Sequence, residues 1–210
     1  MKPMVLCIDR FALEEQNIHI EANGIYPFDL NKVNTEDYQF INRKICDDKD
    51  EHTFNHSIGY RFPQILPYIT IMDTDGKYLT YSRNGTESRL HGSRSIGIGG
   101  HIDLEDMFSN YGSNNILNTI GNAMCRELKE EASITIDAFT NKAISNLFSK
   151  LIVDTSNPVG KVHVGLFTTL VYPEANPQEE LHDAKWLTVD ELKANIDEYE
   201  NWSKLIIEGL

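Results

Sequence analysis

The sequence predicts an α+β domain, a mixed β-sheet with helices on both faces. Short β-branched and aromatic runs recur along the chain, one long amphipathic segment (Ile116–Ile134) interrupts them mid-chain, and two helical segments close the C-terminal end. At 210 residues with 40% hydrophobic content, and nine each of Phe and Tyr, the chain can fill one large core. No internal repeat, heptad run or low-complexity linker is present.

Taken in order, Met4–Ile8 reads as a short strand and Phe11–Asn17 as a turn of helix. Thr35–Ile45 offers Tyr38, Phe40 and Ile41 for packing, and Asp47–Glu51 is an acidic stretch expected in solvent. Apolar periodicity across residues 1–62 is too thin for a separate core. The expectation is an N-terminal extension, 1–62, packed on a main domain spanning 63–210. Ile65–Met72 is rich in β-branched and aromatic residues, Asp73-Thr74-Asp75-Gly76 supplies turn chemistry, and Lys77–Arg83 alternates, which predicts a β-hairpin. Asn84–Gly92 is a polar loop, and Ser95–Gly100 reads as a strand running into a glycine pair. Beyond the central helix, strands are expected at Ile134–Ile136, Ala143–Asp154, Lys161–Tyr172 and Ala184–Leu187, with helices at Val189–Ile196 and Tyr199–Glu208.

Charge and composition exclude several function classes. A net charge of −13 argues against a nucleic-acid polymer as partner, whose phosphates call for clustered Lys and Arg. It leaves room for a small phosphorylated substrate, because a bound cation dominates the field in such sites. No apolar run approaches the ~18–20 residues that span a bilayer, and the apolar stretch after Met1 is too short for a signal peptide. Three cysteines, Cys7, Cys46 and Cys125, form no C-x-x-C pair and read as reduced thiols of a cytoplasmic protein.

The central helix carries the chemistry. On a helical wheel with Ile116 at zero, Ile120, Met124 and Leu128 fall near ~40°, ~80° and ~120°, an inward stripe. Glu127 lands near ~20° and Glu131 near ~60°, on that same stripe, with Glu130 on the flank near ~−40°. Residues three and four apart are neighbours on a helix, so Glu127 meets both Glu130 and Glu131. Like charges about 4 Å apart repel by ~4 kcal/mol at an effective dielectric near 20. A hard divalent cation offsets that repulsion, and magnesium is commonly shared between carboxylates and substrate phosphates. Arg126, one turn before Glu130, is placed to hold a carboxylate. The bland alternative is a solvated helix surface in which these glutamates pair with Arg126 and Lys129.

Ser95-Ile96-Gly97-Ile98-Gly99-Gly100-His101-Ile102-Asp103, taken with Arg126-Glu127-Leu128-Lys129-Glu130-Glu131, resembles the signature of the Nudix hydrolases. These enzymes cleave nucleoside diphosphates linked to another moiety. The resemblance is specific in the Gly-Gly pair and in the helix, and it departs in three places. Leu104–Asn115 reads as an insertion, Asn118 stands where a glutamate is usual, and Ser133 replaces the usual glycine after the glutamate pair. A leader like 1–62 is found in one bacterial subgroup of that family.

The resemblance implies an α/β/α sandwich and a pyrophosphohydrolase using Mg²⁺ (or Mn²⁺). It implies Gly100 (through its carbonyl), Glu127, Glu130 and Glu131 as metal ligands, and Arg126 as the residue orienting a glutamate. The general base is Glu127 or, from the late loop, Glu180. Arg94, His101 and His163 are candidates for substrate contact, Arg94 because its planar fork suits phosphate. Two alternatives stay open: a catalytically silent ligand-binding or regulatory domain on the same fold, and an isopentenyl diphosphate isomerase, which would need a reactive cysteine such as Cys125. The leaving group is not legible, and a homodimer is the commonest assembly.

Overall fold

The computed structural model describes residues 3–47, 57–83, 93–108, 115–136, 140–173, 175–177 and 181–210. The chain divides into two compact units. Unit 1 comprises Met1–Pro67, Gly100–Ala123 and Ala138–Phe167, and unit 2 comprises Tyr68–Gly99, Met124–Asp137 and Thr168–Leu210.

Unit 1 is built on two antiparallel ladders. Strand β1 (Met4–Ile8) pairs along its whole length with β3 (Tyr38–Asn42), and Cys7 also meets Gln64 at the start of β4 (Gln64–Met72). The second ladder runs β9-β8-β2, where β2 is Gly24–Pro27, β8 is Lys150–Val153 and β9 is His163–Val171. Short helices α1 (Arg10–Glu14), α2 (Arg43–Cys46) and α3 (Ile58–Arg61) punctuate this part of the chain, each opened by a side-chain cap from Asp9, Asn42 or Ser57. Leu6, Ile8, Leu13, Ile65, Ile102, Ile144, Phe148 and Leu151 are fully buried. Each such side chain contributes about 1.5–3 kcal/mol relative to exposure.

Unit 2 holds the hairpin predicted from sequence. The β4 strand turns through Asp73–Gly76 into β5 (Tyr78–Arg83), with Met72 opposite Tyr78. The Asp73 carboxylate accepts the Asp75 and Lys77 amides, and Gly76 takes φ 78°, which glycine adopts without a Cβ clash. Strand β10 (Leu181–Leu187) pairs with β5, while β6 (Arg94–Ser95) and β7 (Gly97–Ile98) pair with β5 and β4. Helices α6 (Val189–Ala194) and α7 (Asn201–Gly209) close the chain. The ladders are antiparallel, Arg94 makes a parallel bridge to Tyr199, and the class is α+β, as expected.

The long helix α4 runs Ile116–Ala132. Asn115 caps it by accepting the Asn118 amide, a start signal readable in the sequence that the motif reading passed over. Ile120, Met124 and Leu128 are each 0% exposed, so the inward stripe is real. The helix ends where Ser133 enters the left-handed region at φ 54° and the Ile134 amide returns to the Leu128 carbonyl.

Three expectations need correction. Ile134–Ile136 has no strand, because the backbone there is occupied with closing α4. The strand expected at Ala143–Asp154 is instead α5 (Asn141–Leu147) followed by the shorter β8. Thr140 caps that helix, and Ile144 and Phe148, four apart, bury one face. The segment Gly160–Val162 is a tight 3₁₀ turn, so the long strand starts only at His163. Strand β2 went unread, since Gly24-Ile25-Tyr26-Pro27 lacks alternation.

Candidate active site

The glutamates of α4 divide as the wheel has it, Glu127 and Glu131 inward and Glu130 outward, but Glu127 rather than Glu131 is the more deeply buried. Glu127 is buried at 9% exposure, Glu131 is half-buried, and the Glu130 side chain is 63% exposed. Met124, Leu128 and Ala132 of the same helix are fully buried, and Glu127 is almost withdrawn from water with them. Desolvating an ionised carboxylate is costly without a charged partner. Arg126 supplies one: its Nη1 lies 2.6 Å from Glu127 Oε1 and 3.7 Å from Glu130 Oε2. One guanidinium thus ties the buried carboxylate to the exposed one on the next turn.

Upstream in unit 2, the Ser95–Ile98 run is held by a polar cluster that sequence reasoning missed. The Tyr68 hydroxyl donates to Glu200 at 2.5 Å and lies 2.9 Å from Ser203 Oγ and 3.1 Å from Ser95 Oγ. Ser203 Oγ accepts the Ile96 amide, and the Tyr81 hydroxyl donates to the Gly97 carbonyl. A Cβ on Gly97 would stand 2.0 Å from the Tyr68 ring, so this glycine of the motif serves close packing. Burial, with the Glu200 charge next in weight, pushes the Tyr68 hydroxyl well above its ordinary range. Gly99, also in unit 2, is half-buried and outside regular structure.

Arg94 is engaged with its own sheet. Its guanidinium donates to the Asp183 carboxylate (2.9 Å) and carbonyl (3.1 Å), to Ser82 (3.2 Å) and to Thr80 (3.3 Å). Contact with a phosphate would have to compete with Asp183, which Lys185 also holds at 2.9 Å. These two partners, Lys185 first, keep the Asp183 carboxyl below its usual range.

Gly100, His101 and His163 belong to unit 1. Gly100 is half-buried and irregular, and the chain then passes β1, with the Ile102 carbonyl accepting the Leu6 amide and Asp103 bridging Val5. The two histidines come together: their ring centroids are 5.5 Å apart at an interplanar angle of 70°. His163 Nδ1 is 2.7 Å from the Val159 carbonyl, which fixes it as the protonated nitrogen. The other candidate base, Glu180, lies outside the described residues, as does the polar loop expected at Asn84–Gly92.

The α4 carboxylates fit a hard cation by chemistry. All are oxygen donors, and two of them, Glu127 and Glu131, are four apart on the inward stripe. Among the described residues no group of three or more His, Cys, Asp or Glu side chains converges on a metal position. Magnesium at phosphate sites needs no such cage, since one or two carboxylates suffice and substrate oxygens and water complete the shell. Cys125 is half-buried, and burial raises its thiol pKa, the opposite of what a reactive cysteine requires. No helix among the described residues is long and apolar enough to cross a membrane.

No family model matches the chain. Protein YmaB of Bacillus subtilis is 36% identical over 158 residues, which cover 71% of this chain and 72% of YmaB. The crystal structure of Tm1382, assigned as a Nudix hydrolase, superposes with a TM-score of 0.68 at 18% identity, covering 98% of this chain and 97% of Tm1382. A Nudix hydrolase from Alicyclobacillus acidocaldarius gives a TM-score of 0.46 at 13% identity, over 69% of this chain and 89% of its own. The chain belongs to the family of protein YmaB and is built on the Nudix fold.

Proposed function

We propose that the chain is a metal-dependent hydrolase that cleaves a diphosphate linkage in a nucleoside diphosphate derivative or related small molecule. The observation that carries this reading is Glu127, a carboxylate buried on the inward stripe of α4 beside Arg126 and in line with Glu131. Glu127, Glu131 and Glu130 would hold Mg²⁺ or Mn²⁺. When bound, such an ion neutralises diphosphate charge and makes water more acidic near neutral pH. Arg126 keeps Glu127 in place and shares the field of two carboxylates. Glu127, or Glu180, takes the proton from the attacking water. The substrate is small and phosphorylated rather than a nucleic-acid polymer, given the charge of −13. The same reading takes the protein to be cytoplasmic and its assembly to be a homodimer.

One observation favours a second reading, a catalytically silent ligand-binding domain. Glu130 is turned toward solvent, Arg126 already pairs with Glu127, and among the described residues no three-ligand cluster forms. A panel of ADP-ribose, dinucleoside polyphosphates, nucleotide sugars, coenzyme A and an isoprenoid diphosphate separates the two. With Mg²⁺ present, the hydrolase reading expects diphosphate cleavage of at least one compound, suppressed by chelator and by Glu127→Gln. Binding without product across the panel supports the silent domain, and isomerised isoprenoid would overturn both.

A further inference from the structure

Cys7 and Cys46 lie together in unit 1, far apart in sequence and outside everything described for the hydrolase reading. Their sulfurs are 3.5 Å apart, and both residues are 0% exposed. Cys7 sits mid-strand on β1, and Cys46 is the last residue of α2. Val5, Ile41 and Phe62 pack around the pair. Bringing the sulfurs to a disulfide length of about 2.05 Å needs a movement of about 1.5 Å, within reach of side-chain rotation.

We propose that Cys7 and Cys46 form a redox modification site, closing to a disulfide when the protein meets hydrogen peroxide. The two thiols are not equivalent. A hydrogen bond from Cys7 favours the thiolate of Cys46, while the same contact and burial push the Cys7 thiol far up. Cys46 is therefore the attacking sulfur and Cys7 the resolving one. The Cys46 thiolate attacks a peroxide oxygen; the S–O bond forms, the O–O bond breaks, and the departing hydroxide is protonated to water. Cys46, now a sulfenic acid, is oxidised and the peroxide reduced. Cys7 sulfur then attacks Cys46 sulfur; the S–S bond forms, the S–O bond breaks, and hydroxide leaves with the Cys7 proton as a second water. The balance is two thiols and one peroxide to one disulfide and two waters. Closure outruns further oxidation because the Cys7 sulfur is already 3.5 Å from Cys46 and both residues are buried.

The full-length protein, purified reduced, is titrated with hydrogen peroxide and followed by intact mass and non-reducing peptide mapping. The expected result is a loss of about 2 Da carried by a Cys7–Cys46 linked peptide, reversed by dithiothreitol. Cys46→Ala should abolish the loss and leave Cys7 unlabelled by dimedone. Cys7→Ala should leave Cys46 as a sulfenic acid that dimedone traps. Circular dichroism establishes that each variant is folded, and the unmutated chain decides the matter if either is not. Gain of about 16 or 32 Da at Cys7 or Cys46 without the linked peptide overturns the proposal. So does a pair that stays reduced while Cys125 is consumed.

Discussion

Two glutamates of unit 2 differ in how they are satisfied. Glu200, at the start of α7, accepts the Trp202 and Ser203 amides and the Ser203 and Tyr68 hydroxyls, at 2.5–2.9 Å. Neutral donors from three residues close on it, and it is finished as a cap. Glu127, in the middle of α4, is more deeply buried, and the charge beside it is a half-exposed arginine that also reaches toward Glu130. A carboxylate held by fixed neutral donors builds structure. A carboxylate balanced by a side chain that can move is one a cation can compete for.

The comparison breaks most visibly at Glu127. Glu127→Gln keeps the shape and removes the charge, so turnover on whichever diphosphate proves to be the substrate should fall by roughly 100- to 1000-fold, as for loss of a principal electrostatic group. Stability should change little, read by a thermal melt. Glu200→Ala should do the reverse. It removes a helix cap and one partner each from the Tyr68 and Ser203 hydroxyls, which keep each other and Ser95, and costs about 1–3 kcal/mol in urea unfolding. Activity per folded molecule should hold.

The pH dependence of unfolding sharpens the same contrast. Tyr68 has a folded-state pKa above its ordinary value of 10.0, so the folded state binds the proton more tightly. Its contribution is complete below pH 10.0 and is lost as pH rises beyond it toward the folded value. Tyr68→Phe should flatten that alkaline decline, seen in melts between neutral and strongly alkaline pH. The smallest effect is expected at Ser133. A serine at φ 54° carries strain that glycine lacks. After the entropy glycine adds to the unfolded chain, Ser133→Gly should stabilise by about 0.5 kcal/mol.

The sequence made some of this legible and hid the rest for physical reasons. The hairpin could be read because Asp73 and Gly76 impose local turn chemistry, and the α4 stripe because Ile120, Met124 and Leu128 recur at helical spacing. That Glu127 and Glu131 lie inward of Glu130 follows from the same geometry, while the deeper burial of Glu127 does not. Segment 141–153 misled because short apolar pairs, Ala143-Ile144 and Leu147-Phe148, read together with the apolar strand that follows, although their spacing of four and the Thr140 cap make the first part a helix. Neither the Tyr68–Glu200–Ser203 cluster nor the Cys7–Cys46 contact could be read, since their members are 132, 135 and 39 residues apart. Arg94 looked like a phosphate ligand for want of any sign of Asp183, 89 positions away.

Because the substrate is open, the account is tested most directly by Mn²⁺ binding, followed by electron paramagnetic resonance on the folded chain with no diphosphate present. A site built on the inward carboxylates of α4 should bind Mn²⁺, with affinity falling at least about tenfold in both Glu127→Gln and Glu131→Gln, as for loss of one charged ligand. Equal binding by the parent and both variants, or no binding at all, would contradict it.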